Sequence, residues 1–211
     1  MEILLSILCG IPVVFIILHT LIRIIRKIYK FPIPQTFADL IDNPFRRKIQ
    51  PPDATAIRHG IEPGMTVLDV GPGNGRYTMS AARRVGENGK VIAIDIEPKM
   101  IERVSARAAM EGVTNIEARV ADAHDLPFED ATFDLIYMIA VINEIPEPIR
   151  AMREFHRVLK PNGSLVFSEL FLDPDYPLAR TLIRWGEQAS FRVKQKVGNF
   201  FYYTLIFEKD K

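Results

Sequence analysis

Short apolar runs alternate with amphipathic segments along most of the chain after residue 64. The apolar runs have the length and composition of buried strands and occupy residues 66–70, 90–96, 115–122, 133–140 and 164–170. The segments between them repeat apolar residues at helical spacing over residues 77–85, 98–110 and 147–160. Because strands that alternate with helices are joined by right-handed crossovers, this pattern predicts a mostly parallel α/β sheet with helices on both faces.

The C-terminal end of the chain follows a different pattern. Two strand-like runs, at residues 191–197 and 200–209, flank the pair Gly198 and Asn199. A glycine-containing turn between two strand-like runs is typical of a β-hairpin. We therefore expect a terminal hairpin beside the alternating part of the sheet.

The chain begins with an uncharged apolar run. No charged side chain occurs over residues 3–22, and a helix of this length would span about 30 Å, the thickness of the hydrocarbon core of a bilayer. Arg23, Arg26 and Lys27 follow the run, and such residues favour the cytoplasmic side. The pattern predicts a single membrane helix, with the N-terminus outside and the remaining chain in the cytoplasm. A buried or interfacial helix is the alternative.

Two prolines mark the end of this first segment. Pro32 and Pro34 favour an extended backbone and disfavour continuation of a helix. We therefore expect three parts: a membrane helix with a basic collar over residues 1–30, a juxtamembrane linker or lid over residues 31–62, and one α/β domain over residues 63–211.

Composition and charge exclude several classes of function. The chain of 211 residues carries 27 basic and 26 acidic side chains, so its net charge of +1 offers no field that would attract nucleic acid. Cys9 is the only cysteine, and the four histidines have no metal-ligand spacing. Neither a disulfide framework nor a metal centre is predicted.

A glycine-rich loop follows the first predicted strand directly, in the sequence VLDVGPGNGRYT at residues 67–78. Ligands of open α/β sheets bind beyond the carboxyl ends of the strands, so such a loop is a candidate cofactor site. The dinucleotide pattern G-x-G-x-x-G would require a glycine where Arg76 stands, and no Gly-Lys-Ser/Thr of a P-loop follows. The loop therefore suits neither a dinucleotide nor a nucleoside triphosphate.

Acidic side chains stand near the ends of three successive predicted strands. Asp69 lies near the end of the first strand, Asp95 near the end of the second and Asp122 at the end of the third. A carboxylate in the second position can accept hydrogen bonds from both hydroxyls of a ribose, and one in the third from an exocyclic amine such as that of adenine. Together with the loop, they predict a ligand that contains adenosine and no phosphate.

These residues resemble the class I methyltransferases that use S-adenosylmethionine. The resemblance covers residues 64–169 and rests on VLDVGPGNG, Asp95, Asp122 with Ala123, and LKPNGSLVFSE before and within the fifth strand. PFEDATFDLIYMIAVINEIPEP is similar to the group that contains the quinone-biosynthesis C-methyltransferases. The resemblance implies a seven-stranded Rossmann-like sheet in the order 3-2-1-4-5-7-6, with the last strand antiparallel, and S-adenosylmethionine as the cofactor.

The resemblance also implies a set of cofactor-binding residues. They come from the first strand and its loop, from the second strand end and from the third: Asp69, Gly71, Gly73, Asn74, Gly75, Tyr77, Asp95, Ile96, Asp122 and Ala123. Tyr77 has two interpretations, because it can line the methionine part of the pocket or pack against neighbouring side chains.

Methyl transfer from a sulfonium requires alignment and exclusion of water rather than a particular catalytic side chain. If the acceptor must lose a proton, a base is expected in the loop after the fourth strand, where Glu144 is the candidate and Asn143 would orient the substrate. A solvated acid near a helix start is the alternative for Glu144. Related quinone enzymes often have a His pair where this chain has Asn143 and Glu144, which leaves the substrate open.

The predicted function is methyl transfer from S-adenosylmethionine to a small apolar or lipid-like acceptor by a membrane-anchored enzyme. One alternative is a non-catalytic S-adenosylmethionine-binding subunit or sensor tethered to the membrane. An NAD-type oxidoreductase is disfavoured by Arg76, and a nucleic-acid methyltransferase by the lack of a basic surface.

Overall fold

The computed structural model describes residues 20–25, 44–173 and 175–210. Within these ranges one sheet contains seven strands, with the bounds β1 Thr66–Val70, β2 Lys90–Asp95, β3 Ile116–Val120, β4 Phe133–Ile139, β5 Leu159–Leu170, β6 Phe191–Gly198 and β7 Tyr202–Lys209. The order across the sheet is β3-β2-β1-β4-β5-β7-β6. The neighbouring pairs from β3 to β5 are parallel, and β7 runs antiparallel to both β5 and β6. The predicted α/β fold and strand order are confirmed.

Helices precede the sheet and connect its strands. Their bounds are α1 Pro44–Ile49, α2 Pro52–Arg58, α3 Arg76–Val85, α4 Pro98–Glu111, α5 Pro148–Val158 and α6 Ala179–Gln188. Helices α3, α4 and α5 agree with the three predicted from the spacing of apolar residues. Pro98 and Pro148 each stand in the first turn, where the missing N–H of proline costs no helical hydrogen bond.

The strands are apolar on both faces because helices cover both faces. Successive side chains of a strand point to opposite sides, so Val67 and Leu68 enter different hydrophobic clusters although they are neighbours in β1. Both side chains are completely buried. In the parallel register Asp69 pairs with Ala93, and Asp95 pairs with Val120. The carboxyl ends of these strands therefore meet along one edge of the sheet.

Residues 44–61 pack against the domain. His59, just after α2, is buried, and its Nε2 lies 2.8 Å from Ser168 Oγ of β5. Ser168 Oγ in turn lies 2.8 Å from Thr204 Oγ1 of β7. Burial, followed by the nearby charge of Arg58, lowers the pKa of His59 from 6.5 to about 3. This histidine is a neutral link between α2 and the sheet.

Acidification is expected to reduce the free energy of unfolding more in the wild-type protein than in a His59→Gln variant. Folded His59 stays neutral down to about pH 3, whereas the unfolded chain binds its proton below pH 6.5. Its contribution is therefore fully present above pH 6.5 and is lost as the pH falls toward 3. Between pH values of about 7 and 5 the expected difference is ~2 kcal/mol. Urea unfolding of both proteins at both pH values measures it.

Asp69 acts in the opposite direction, because burial raises its pKa to about 6 and the folded protein then binds a proton that the unfolded chain releases. The effect is present in the wild type and in the His59→Gln variant alike, so it cancels when the two are compared. Equal losses of stability on acidification in both proteins would show that His59 is not neutral in the fold.

The membrane prediction requires correction. The helix predicted over residues 3–22 lies outside the described residues except for 20–22, and so do residues 31–43 of the predicted linker. Residues 20–25, the part of this segment that the structure describes, are helical. Arg23, predicted to lie in the basic collar, donates hydrogen bonds to the carbonyl oxygens of Phe171 and Asp173. In the described ranges no helix combines the length and apolarity needed to cross a bilayer, and this finding contradicts the predicted single-pass localisation.

Candidate active site

A cavity of about 360 Å³ lies at the carboxyl edge of the parallel strands. Its walls come mostly from the ends of β1 to β5 and the loops that follow them, with side chains of α1, α3 and α4, and its volume falls within the ~300–1,000 Å³ of small-molecule sites. Neighbouring strands lie about 4.8 Å apart, so the strand order sets the order of groups along the cavity. The end of β3 stands at one side, β2, β1 and β4 follow, and the end of β5 stands at the other side.

The glycine loop forms the wall beside β1. Gly71, Gly73 and Gly75 have φ values of 71°, 56° and 78°, a region that side chains with a Cβ rarely adopt. A Cβ at Gly71 would lie 2.5 Å from Val141 Cγ2, whereas a Cβ at Gly73 would meet no atom within 4 Å. Backbone at Gly71 and Gly73 therefore lines the cavity directly, which lets a ligand approach the main chain.

Gly75 has a different reason for lacking a side chain. It does not line the cavity but immediately precedes α3, and a Cβ there would lie 3.3 Å from the backbone and side chain of Val104 in α4. The spacing of glycines in the loop thus reflects two requirements, open backbone at the cavity and close packing of two helices.

Asp69 connects the end of β1 to its neighbours. Its Oδ2 accepts hydrogen bonds from Thr78 Oγ1 of α3 and from the hydroxyl of Tyr137 in β4, both at 2.6 Å. Burial raises the pKa of Asp69 to about 6, although these two hydrogen bonds act to lower it. This carboxyl holds the glycine loop and helix α3 in place on the wall of the cavity.

The ends of β2 and β3 contribute Asp95 and Asp122 to the cavity. Asp95 Oδ1 accepts from the backbone N–H of Glu97 at 2.9 Å, and burial raises the pKa of this carboxyl. Asp122 Oδ1 accepts from the backbone N–H of His124, which lowers the pKa of Asp122. The His124 ring also joins Asp122 Oδ1 at 2.7 Å to the carbonyl oxygen of Pro146 at 2.5 Å. His124 thereby links the loops after β3 and β4.

Residues of α1 and of the loop after β5 close the opposite side. Arg46 Nη1 and Nη2 donate to the two carboxylate oxygens of Asp173 at 2.8 and 3.1 Å, and both residues are buried. Arg46 Nε also donates to Gln50 Oε1 at 3.2 Å, and the Tyr77 hydroxyl donates to the carbonyl oxygen of Gln50 at 2.9 Å. This clamp fixes the segment before the domain across the cavity.

Glu169 stands at the end of β5 and lines the cavity from this side. Its side chain is 1% exposed, and its Oε1 has no hydrogen-bond partner. Burial raises the pKa of Glu169 well above its usual value, with further raising by the neighbouring Asp173. Glu169 was not predicted as a site residue from the sequence, although it carries the same signal as Asp95: an acid at the end of an apolar strand.

The two residues predicted to act in catalysis occupy different positions. Glu144 lines the cavity in the loop after β4, whereas Asn143 does not line it. Asn143 Nδ2 instead donates to the carbonyl oxygen of Asp175 at 2.8 Å and joins the loops after β4 and β5.

Ten of the residues predicted from the sequence come together at this cavity: Asp69, Gly71, Gly73, Asn74, Tyr77, Asp95, Ile96, Asp122, Ala123 and Glu144. Arg46, His124 and Glu169 also line the cavity and were not predicted as site residues from the sequence. Arg46 carries no local signal of its own, because only the folded chain brings it beside Asp173.

The walls suit a ligand with adenosine and a positive centre. Asp95 and Asp122 offer acceptors at neighbouring strand ends, and the backbone at Gly73 borders open space. Carboxylates outnumber basic side chains on the described walls, and Arg46 already pairs with Asp173, so phosphate is disfavoured. In the described part of the chain no cluster of His, Cys, Asp or Glu is arranged to hold a metal ion.

Comparisons with known proteins agree with this geometry. The family model described as a methyltransferase domain matches residues 61–198. Ubiquinone/menaquinone biosynthesis C-methyltransferase UbiE of Escherichia fergusonii is 36% identical over 141 residues, which cover 66% of this chain and 55% of that protein. The protein of the same name from Salmonella paratyphi B gives the same values. The chain spans about half the length of these curated relatives.

A solved structure extends the similarity over the fold. The crystal structure of an S-adenosylmethionine-dependent methyltransferase from Aquifex aeolicus has a TM-score of 0.78 and 26% sequence identity, and the match covers 83% of this chain and 98% of that chain. The family and the fold together imply S-adenosylmethionine as the cofactor. With a matching family model over most of its length and a site of the corresponding geometry, the chain belongs to the methyltransferase domain family.

Proposed function

We propose that this methyltransferase transfers the methyl group of S-adenosylmethionine to a small apolar acceptor with a quinol-like ring. The observation that carries the proposal is the continuous cavity from β3 to β5. It extends well beyond Asp95 and Asp122, the hydrogen-bond acceptors suited to adenosine at the ends of β2 and β3. The names of the UbiE relatives, which describe quinone-biosynthesis C-methyltransferases, support this acceptor class.

Each part of the cavity has a role in this proposal. Asp95 would hold the ribose hydroxyls, Asp122 and Ala123 would contact the adenine, and Ile96 would cover the ring between them. Gly71, Gly73 and Asn74 would receive the methionine part, with Asp69 and Tyr77 supporting that wall. When bound, the cofactor supplies a methyl group made electrophilic by a sulfonium.

The acceptor would lie beyond the glycine loop, over β4 and β5. Apolar side chains of the loop after β4 line this part of the cavity, including Val141 and Ile145. They exclude water and hold a flat apolar ring, so that the reacting atoms meet in line. Glu144 borders the same space and remains a candidate for contact with the acceptor.

The alternative of a non-catalytic binding subunit is not favoured, since the family and the similar proteins are methyltransferases. The two functions differ in one measurable outcome. The proposal expects turnover with a suitable acceptor, whereas a binding subunit would hold the cofactor without transferring its methyl group.

The full chain is expected to transfer label from methyl-labelled S-adenosylmethionine to naphthohydroquinone, a small quinol. The expected result is a labelled product soluble in organic solvent, formed in proportion to protein concentration and inhibited by S-adenosylhomocysteine. Mass spectrometry of the product identifies the methylated atom. Binding of S-adenosylhomocysteine without label transfer to this or other small apolar quinols would instead support the binding-subunit function.

A further inference from the structure

Glu169 differs in its surroundings from four other acids of the cavity. Thr78 and Tyr137 donate to Asp69, backbone N–H groups donate to Asp95 and Asp122, and Arg46 donates to Asp173. Glu169 Oε1 is buried without such a partner. A buried polar atom that lacks a partner costs free energy, so its retention on the wall of a cavity points to a ligand group that completes it.

The position of Glu169 indicates which part of a ligand it meets. In the sheet, β5 is separated from β1 by β4, and β1 is followed by β2 and β3 on the other side. Asp95 and Asp122, the hydrogen-bond acceptors proposed for adenosine, stand at the ends of β2 and β3, and the glycine loop follows β1. The end of β5 therefore lies farthest from the proposed position of adenosine. The neighbouring wall includes the apolar side chains of Val141 and Ile145 after β4, together with Glu144. Glu169 is thus placed at the acceptor side of the cavity.

We propose that Glu169 binds a hydroxyl group of the methyl acceptor and takes up its proton during methyl transfer, an inference that rests on the proposed function. The acceptor class is a neutral apolar molecule with a ring hydroxyl, because a hydroxyl can both donate to and accept from a buried carboxyl. Glu169 is then a catalytic residue at β5, distinct from the candidates after β4.

The charged and titratable groups around Glu169 tune its proton affinity. They come from α1, the loops after β4 and β5, and β7, and they are Arg46, Glu144, Asp173, Asp175, Tyr176 and Tyr203. Burial and the neighbouring carboxylates raise the pKa of Glu169, and Arg46 lowers it. Once ionised, a carboxyl with a raised pKa is a stronger base for a ring hydroxyl than an ordinary surface carboxylate.

The proton and electron pairs balance in this step. The O–H bond of the acceptor breaks and its proton moves to the ionised Glu169 carboxylate. The electron pair released forms the bond to the methyl carbon, through the hydroxyl oxygen or the adjacent ring carbon, while the methyl–sulfur pair leaves with sulfur. After attack through carbon, the proton displaced from that carbon moves to the oxygen and restores the ring hydroxyl. Glu169 then returns its proton to solvent.

The test compares the full chain with Glu169→Gln, which keeps the shape of the side chain and removes its ionisation. Turnover of naphthohydroquinone is expected to fall by about 100-fold or more, with S-adenosylhomocysteine affinity unchanged. The acidic limb of the pH profile of kcat/KM is expected to disappear. Glu169→Asp, which retains a carboxyl, is expected to recover part of the turnover and the acidic limb.

Glu87→Gln is the matched control, because Glu87 is exposed at the opposite edge of the sheet, before β2. It is expected to keep wild-type turnover and pH profile. Circular dichroism and thermal melting of each variant separate a loss of function from a loss of folding. If Glu169→Gln does not fold, the pH profile of kcat/KM is compared between the wild type and Glu169→Asp instead.

Binding measurements supply a readout that does not depend on turnover. In the presence of S-adenosylhomocysteine, the wild type is expected to bind naphthohydroquinone more tightly than its dimethyl ether or naphthylamine, and Glu169→Gln is expected to lose this preference. Equal binding of the three molecules by the wild type, or an unchanged preference or pH profile in Glu169→Gln, would overturn the proposal. Selective binding without any methyl transfer would instead count against the proposed function and against the proton-transfer role together, while retaining the hydroxyl contact.

Discussion

Replacement of Asp95 by alanine is expected to weaken the binding of S-adenosylhomocysteine by about 100-fold. Asp95 ends β2 on the wall of the cavity, and burial raises its pKa, so its carboxylate is poorly solvated before a ligand arrives. Two ribose hydroxyls that donate to it would each contribute a charge-assisted hydrogen bond of ~1.5–3 kcal/mol. The loss of both, offset by the removal of a buried charge, gives the expected change. Isothermal titration calorimetry measures it.

Two further variants test the cause of this effect. Asp95→Asn keeps one hydrogen-bond acceptor and loses the charge, so its affinity is expected to lie between those of the wild type and Asp95→Ala. Asp125→Ala is the matched control, because Asp125 is exposed in the loop after β3 and does not line the cavity. An Asp95→Ala protein that binds S-adenosylhomocysteine as tightly as the Asp125→Ala protein would refute a ribose contact at β2.

Removal of the Arg46 side chain is expected to lower the free energy of unfolding by ~3–5 kcal/mol. Arg46 forms a two-pronged ion pair with Asp173, and both side chains are largely shielded from water, with relative exposures of 6% and 12%. Arg46→Ala would leave Asp173 in its buried position without this guanidinium, which is costlier than the loss of an exposed pair. Chemical denaturation measures the change.

Two further variants test whether the loss of stability comes from the ion pair between Arg46 and Asp173. Lys48→Ala removes an exposed charge from the same helix and is expected to change stability by less than about 0.5 kcal/mol. Joint replacement by Arg46→Met and Asp173→Leu is expected to recover most of the loss, since an apolar pair needs no desolvation of charge. A double variant as unstable as Arg46→Ala would show that the clamp contributes more than the pairing of two charges.

Much of the fold was predictable because local patterns dictate it. Each central strand is a short apolar run, since helices cover both faces of the sheet, and the apolar period changes to helical spacing between the runs. Helix α6 was not predicted, although Leu182 and Ile183 follow Ala179 at helical spacing; in the fold it packs on β6 and β7. Gly186 in particular leaves room for the ring of Phe207.

The N-terminal segment shows the opposite case. An uncharged run before Arg23 satisfied the length rule for a membrane helix, a rule that takes no account of the contacts of the residues that follow the run. In the folded chain, the Arg23 guanidinium lies 4.7 Å from the centre of the Phe171 ring and donates to backbone after β5. A basic residue that reads as a membrane-flanking charge in sequence is therefore a tertiary contact of this domain.

The sequence by itself determined the parallel sheet, the glycine loop and the acids at β2 and β3, because each depends on residues close together in the chain and on the common edge where parallel strands end. Tertiary structure alone decided the side of the cavity at the end of β5. Arg46 pairs with Asp173, which lies 127 positions away in the sequence. Glu169 Oε1 becomes a buried oxygen without a hydrogen-bond partner only when α1 and the loops after β4 and β5 surround it. Burial and the pairing of charges depend on contacts between distant segments, which no local pattern of residues specifies.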